Sequence, residues 1–133
     1  MSDELTSEEL AYLQSRFDLA RDGEAEQLAS DLDAGLPVNL TNSSGDSMLI
    51  LAAYHRQSDV VRVLLARGAD TERVNDRGQT ALGSAVFRQS ADIVTDLLAA
   101  GADPRTGGRS ALEVARFFEL DGMLALLEQA TAL

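Results

Sequence analysis

The chain repeats itself every 33 residues, and that period constrains the fold more than any other feature. Moved back by one period, Gly78 falls on Gly45, Leu82 on Leu49 and Ala85 on Ala52. The same shift brings Ile93-Val94 onto Val60-Val61, Leu97-Leu98 onto Leu64-Leu65, and Gly101-Ala102-Asp103 onto Gly68-Ala69-Asp70. A second shift brings Gly68 onto Gly35, Leu65 onto Leu32 and Ala53 onto Ala20. Self-similarity at this spacing marks a stack of like units, none of which can bury its apolar face alone.

Inside the units the apolar residues recur at helical spacing. Leu10, Leu13, Phe17 and Ala20 predict a first helix with one buried stripe. Thr6-Ser7-Glu8-Glu9 has the spacing of a capping box, which starts that helix at Ser7. Gly23 ends it, and Ala25, Leu28, Ala29 and Leu32 mark a second helix ended by Gly35. Leu36-Pro37-Val38-Asn39-Leu40 reads as extended, and Thr41 to Asp46 as turn-rich. The next two units predict helices at 47–54 and 58–66, then 80–87 and 91–99, with loops at 68–79 and 101–109. Gly35, Gly68 and Gly101 follow the second helices, where a stop calls for a left-handed residue. Helices this short are unstable alone in water, so Leu49, Leu82 and Leu97 must be buried between units.

The fourth unit is shorter. Leu82 maps to Leu112, Ala85 to Ala115 and Leu97 to Leu127, an offset of 30, so three residues are missing from the loop around 104–107. The last hairpin finger should be stunted. A final helix is expected at 121–129, with Glu128 where earlier units carry Leu65 and Leu98. An acid there fits a terminal unit, whose outer face has only water to meet.

The pattern resembles the ankyrin repeat, whose units read Gly-x-Thr-Pro-Leu-His-x-Ala-Ala, then Ile/Val-Val-x-x-Leu-Leu, then Gly-Ala-Asp. The first part stands here as 45–53, Gly-Asp-Ser-Met-Leu-Ile-Leu-Ala-Ala, and again at 78–86 and 108–116. The family's Pro is replaced by Met48, Ala81 and Ala111, and its His by Ile50, Gly83 and Glu113. The match covers roughly residues 10–129. The resemblance is to small, single-domain, bacterial members. It implies an all-α ankyrin repeat solenoid, stacked helix-turn-helix units joined by β-hairpin-like loops. The expected units are a divergent N-terminal cap at 7–40, repeats at 41–74 and 75–105, and a shortened C-terminal cap at 106–133, in one domain spanning 1–133.

Charge and composition narrow the function. The formal net charge is −11, which opposes a nucleic-acid or anionic-membrane partner. Residues 1–33 hold ten acids against Arg16 and Arg21, a balance of −8, and all eleven basic residues are arginine. There is no cysteine, so disulfides and thiolate metal sites are excluded. The acidic start lacks a secretory signal and no run reaches membrane-spanning length, so a cytoplasmic location and a monomer are expected. His55 is the one histidine and reads as a solvated surface residue; no metal or cofactor site is expected. Ser84, His55 and Asp59 could be drawn as a triad, but no nucleophile elbow surrounds Ser84, which should pack between helices. Gly107-Gly108 is no phosphate loop, and the Asn39 and Asn42 glycosylation patterns read as chance matches. No catalytic residue is assigned.

What remains is a surface. The resemblance implies that a protein partner binds the concave face, made by the loop tips and the outer positions of each first helix. Carried onto this chain, that face contains Tyr54, His55, Phe87, Arg88, Phe117 and Phe118 after the first helices, and Arg77, Gln79 and Arg109 beside the loop glycines. Four of the six aromatics fall here, and Tyr54, Phe87 and Phe117, spaced by 33 and 30, should stand in a line. Tyr, Phe and Arg are enriched at interface cores; mutual packing of the rings is the bland alternative. The arginines point to an acidic or carboxylate-bearing partner segment with apolar anchors. A dedicated inhibitor or immunity-type protein with one obligate partner is the alternative, separable by gene neighbourhood or pull-down. An enzyme with a carboxylate-based site is the remote one, and would need paired acids in a deep pocket.

Overall fold

In a computed structural model of the protein, residues 5–131 are described; Asp3 and Glu4 of the acidic start lie outside them. Among the described residues are eight helices and no strand. They pair as α1 (Ser7–Asp22) with α2 (Ala25–Asp33), α3 (Met48–Tyr54) with α4 (Ser58–Ala66), α5 (Ala81–Phe87) with α6 (Ala91–Ala99), and α7 (Ala111–Phe117) with α8 (Asp121–Thr131).

Each unit begins on a hydroxyl. Thr6, Ser47, Thr80 and Ser110 accept from the backbone N–H three residues on, at 3.1, 3.1, 3.0 and 3.3 Å. These bonds satisfy donors that a helix start otherwise leaves open. At the first helix the box closes, because Thr6 N donates to Glu9 Oε1 at 3.1 Å, and this holds the Glu9 carboxyl below its ordinary range. The second helices stop before Gly35, Gly68 and Gly101, at φ of +117°, +80° and +94°. An L side chain would have open space there but a strained backbone.

The first helices stack in the order α1, α3, α5, α7, and the second helices in the order α2, α4, α6, α8. Ala20, Ala52, Ala53, Ala85 and Ala115 are fully buried where the first helices meet. Small side chains let short helices approach closely enough to bury Leu49, Leu82 and Leu97 completely. Each such leucine contributes roughly 1.5–3 kcal/mol.

Two expectations fail. The stripe on α1 is buried only at Phe17 and Ala20; Leu10 is 47% exposed and Leu13 half-buried. The cause is length: α1 has 16 residues and its neighbour α3 has 7, so the first turns of α1 overhang. Residues 36–40 are not an extended run, because Val38 and Asn39 form a turn. The Asn39 side chain is used there as an acceptor for Asp70 N, at 2.8 Å.

The fingers are held less by strand pairing than by single hydrogen bonds. The one β-bridge among the described residues joins Thr41 and Ser47. Asp76 N donates to Ser44 O and Arg109 N to Gly78 O, both at 3.0 Å, so each loop tip is tied to the next. Glu72, one period after Asn39, accepts from Asp103 N at 3.1 Å and from the Thr106 hydroxyl at 2.8 Å. The connection into α7 is residues 100–110, three fewer than 67–80 into α5. On the second-helix side, Arg67 reaches Asp33 and Arg62 reaches Asp96 in neighbouring units. No helix of the described residues is long and apolar enough to cross a membrane.

Candidate partner-binding surface

The helix ends place the rings. Tyr54, Phe87 and Phe117 are the last residues of α3, α5 and α7, and His55, Arg88 and Phe118 cap them. The chain then turns into the second helix through Arg56, Gln89 and Glu119, at φ of +60°, +56° and +54°. In the first unit the equivalent residue is Gly23, at +81°.

The rings form a row, though not the one expected. Tyr54 and Phe87 stack with centroids 6.3 Å apart and planes 9° from parallel. Phe87 next meets Phe118, edge to face at 5.4 Å, and not Phe117. Phe117 touches Phe118 at 4.9 Å and is 80% exposed. The reason lies in the capping position. Arg88 leans back over Tyr54 of the preceding unit, its guanidinium carbon 5.5 Å from the ring centroid. Phe118 holds the same position one unit on and leans back to Phe87. Phe117 lies in the last of the four described units, and no ring of a further unit stands beside it among the described residues. The rings touch one another and stay open: Tyr54 is 39%, Phe87 43% and Phe118 49% exposed.

Three adjoining hollows follow the row. One of about 350 Å³ is bordered by Arg21, Tyr54, His55, Arg77 and Gln79. A second, about 230 Å³, lies among Tyr54, Gln79, Phe87, Arg109 and Phe118. A third, about 560 Å³ and mainly apolar, lies against Arg109, Val114, Phe117 and Phe118. The nine residues that the sequence singles out are thus brought to one continuous face.

Asn75 is the residue that sequence reasoning missed. It is 6% exposed, and its Oδ1 accepts from Arg77 N at 3.0 Å and Gln79 N at 2.9 Å. Its Nδ2 donates to Asp46 at 2.7 Å and to Gln79 Oε1 at 2.9 Å. Asn42, one period earlier, holds Ser44 N and Asp46 N in the same way, at 3.0 and 2.9 Å. The recurrence of Asn at 42 and 75 was the available signal. Ser84 is buried and its hydroxyl donates to Thr80 O at 2.9 Å, while His55 is exposed with its ring edge-on to Tyr54 at 5.3 Å.

Comparison with known proteins agrees with this architecture. The family model for ankyrin repeats, in three copies, matches residues 18–107. A Pseudomonas aeruginosa protein named as an ankyrin repeat protein is 47% identical over 60 residues, 45% of this chain and 35% of that one. The chain spans about a third of the length of the curated relative it matches. Period, helix stacking and family model converge: the chain belongs to the ankyrin repeat family.

Proposed function

We propose that this chain is a non-enzymatic protein-binding module that takes a partner on the concave face of its helix stack. Ankyrin repeats are general protein–protein interaction modules. The observation that carries the reading is the row of rings at Tyr54, Phe87, Phe118 and Phe117, in mutual contact yet open to solvent. A contiguous exposed apolar patch with a polar rim is the usual form of a binding surface. Its supports are fixed: Asn75 holds the backbone of Arg77 and Gln79, and the loop tips are tied to one another. A surface held this way loses little conformational freedom on binding.

The test compares the tagged chain with a Phe87→Ala/Arg88→Ala variant and with Thr95→Ala, an exposed residue of α6 outside the ring row. Proteins captured from the source lysate are quantified by mass spectrometry. A partner of this face is lost by the first variant and kept by the second. Equal capture by all three, with unchanged circular dichroism, refutes the proposal.

A further inference from the structure

The chemistry of the groove identifies a class of partner. Of the eight arginines outside the ring row, Arg16, Arg21, Arg62 and Arg67 are each paired with an aspartate, and Arg56, Arg73, Arg105 and Arg116 have no ion pair among the described residues. Arg77, Arg88 and Arg109 form no ion pair among the described residues, although acids outnumber bases 22 to 11 in the chain. All three are exposed and lie along the rings: Arg77 and Arg109 border the first two hollows, and Arg88 covers Tyr54. Of the acids that line these hollows, Asp46 is 7% exposed and bonded to Asn75, and Glu113 borders the third. Arg21, Arg77, Arg109 and Arg116 line the hollows against Asp46 and Glu113, so the groove is locally basic on a chain of net charge −11.

We propose that the occupant is a short acidic peptide segment with an apolar anchor. Its aromatic or leucine side chain lies against Tyr54, Phe87 and Phe118, and its carboxylates pair with Arg77, Arg88 and Arg109. This rests on the reading that the face binds protein. Guanidinium groups hold carboxylates through paired N–H donors, and ring faces receive apolar side chains. Ring spacings of 6.3 and 5.4 Å make a row of about 12 Å, the reach of roughly four extended residues. The acids of the partner must be confined to such a segment. A broadly acidic surface would be repelled by the rest of this chain, whereas charges beyond roughly 8 Å of the groove are largely screened.

The test displays random twelve-residue peptides on phage and selects against the full chain. Selected peptides are then synthesised and titrated by fluorescence anisotropy. The expected peptides carry Asp or Glu beside Phe, Tyr or Leu. The variant R77Q/R88Q/R109Q is expected to weaken them roughly tenfold or more, each partly solvated pair giving about two- to fivefold. Changing the peptide's own Asp and Glu to Asn and Gln is expected to weaken binding as much, with no change to the protein. Peptides without acids that still depend on Phe87 overturn the acidic assignment and leave the face reading standing. Peptides indifferent to both F87A/F118A and the arginine variant overturn both. No enriched peptide, or displacement by single-stranded oligothymidine at equal concentration, overturns the inference.

Discussion

The turn between the two helices of each unit offers a direct test of the stacked architecture. Gln89 stands there at φ +56°, with an exposed side chain and its backbone N–H donating to Val86 O at 3.0 Å. A left-handed conformation costs an L residue roughly 1–2 kcal/mol, and glycine escapes this. Glycine also loosens the unfolded chain, which offsets about 0.4–1 kcal/mol of the gain. Gln89→Gly is therefore expected to stabilise the protein by about 0.5–1 kcal/mol. For a chain of 133 residues this raises Tm by about 2–4 °C.

Controls isolate the backbone. Gln89→Ala keeps the strain and should stay within about 0.5 kcal/mol of the parent, and β-branched Gln89→Val should be worse than Ala. Urea unfolding followed at 222 nm gives the order Gly, then Gln and Ala, then Val, with unchanged m. A glycine variant no more stable than the alanine one refutes the left-handed turn at 89. The chain makes the same substitution itself in the first unit, where Gly23 holds the equivalent place. The reverse change there is harsher, because a Cβ on Gly23 would lie 2.5 Å from Gln57 Oε1, whose amide is bonded to Arg21 O.

Two further outcomes follow from burial and charge. Leu82→Ala should cost about 2–5 kcal/mol in urea unfolding, whereas Phe117→Ala should stay within roughly 0.5 kcal/mol; comparable losses would mean that the end ring is structural. Arg67 hydrogen-bonds Asp33 and holds its carboxyl below the ordinary 3.8. A depressed folded pKa gives stability that is present above the unfolded value and lost as pH falls through the folded one. Asp33→Asn should therefore reduce the drop in urea midpoint between about pH 6 and about pH 3, and an unchanged drop would exclude the pair as a contributor.

The period made most of the fold legible, because stacking imposes the same burial on equivalent residues of each unit. Leu49 and Leu82 are buried alike, and the glycines after the second helices all take positive φ. What escaped reading depends on neighbours that differ between units. Leu10 has a helical pattern but stays about half exposed, since pattern reports a face and not the length of what covers it. Arg56, Gln89 and Glu119 hide a shared left-handed turn behind three unlike residues, because the stack enforces a conformation that none of them favours. Asn39 and Asn42 matched a modification pattern, while their side chains are acceptors that hold loop backbone. The ring row was legible as a set of positions but not as a set of contacts. A period of 33 or 30 counts residues along the chain, and it does not register that capping side chains lean back by one unit.

That backward lean bears on how such a surface changes its guest. Two capping residues lie against the ring of the preceding unit, Arg88 on Tyr54 and Phe118 on Phe87, so this part of the face is woven from pairs of units. The capping side chains are exposed and the residues that hold the stack together are not. Substitution at 55, 88 or 118 therefore alters what the groove offers without opening the core, whose stability rests on buried leucine and alanine. The backbone beneath is fixed independently by Asn75 and the loop-to-loop bonds, so a new side chain meets a rigid frame. Stability and the proposed recognition surface occupy different positions of the same repeat. This separation lets one scaffold carry an arginine-rimmed aromatic groove on a strongly acidic chain.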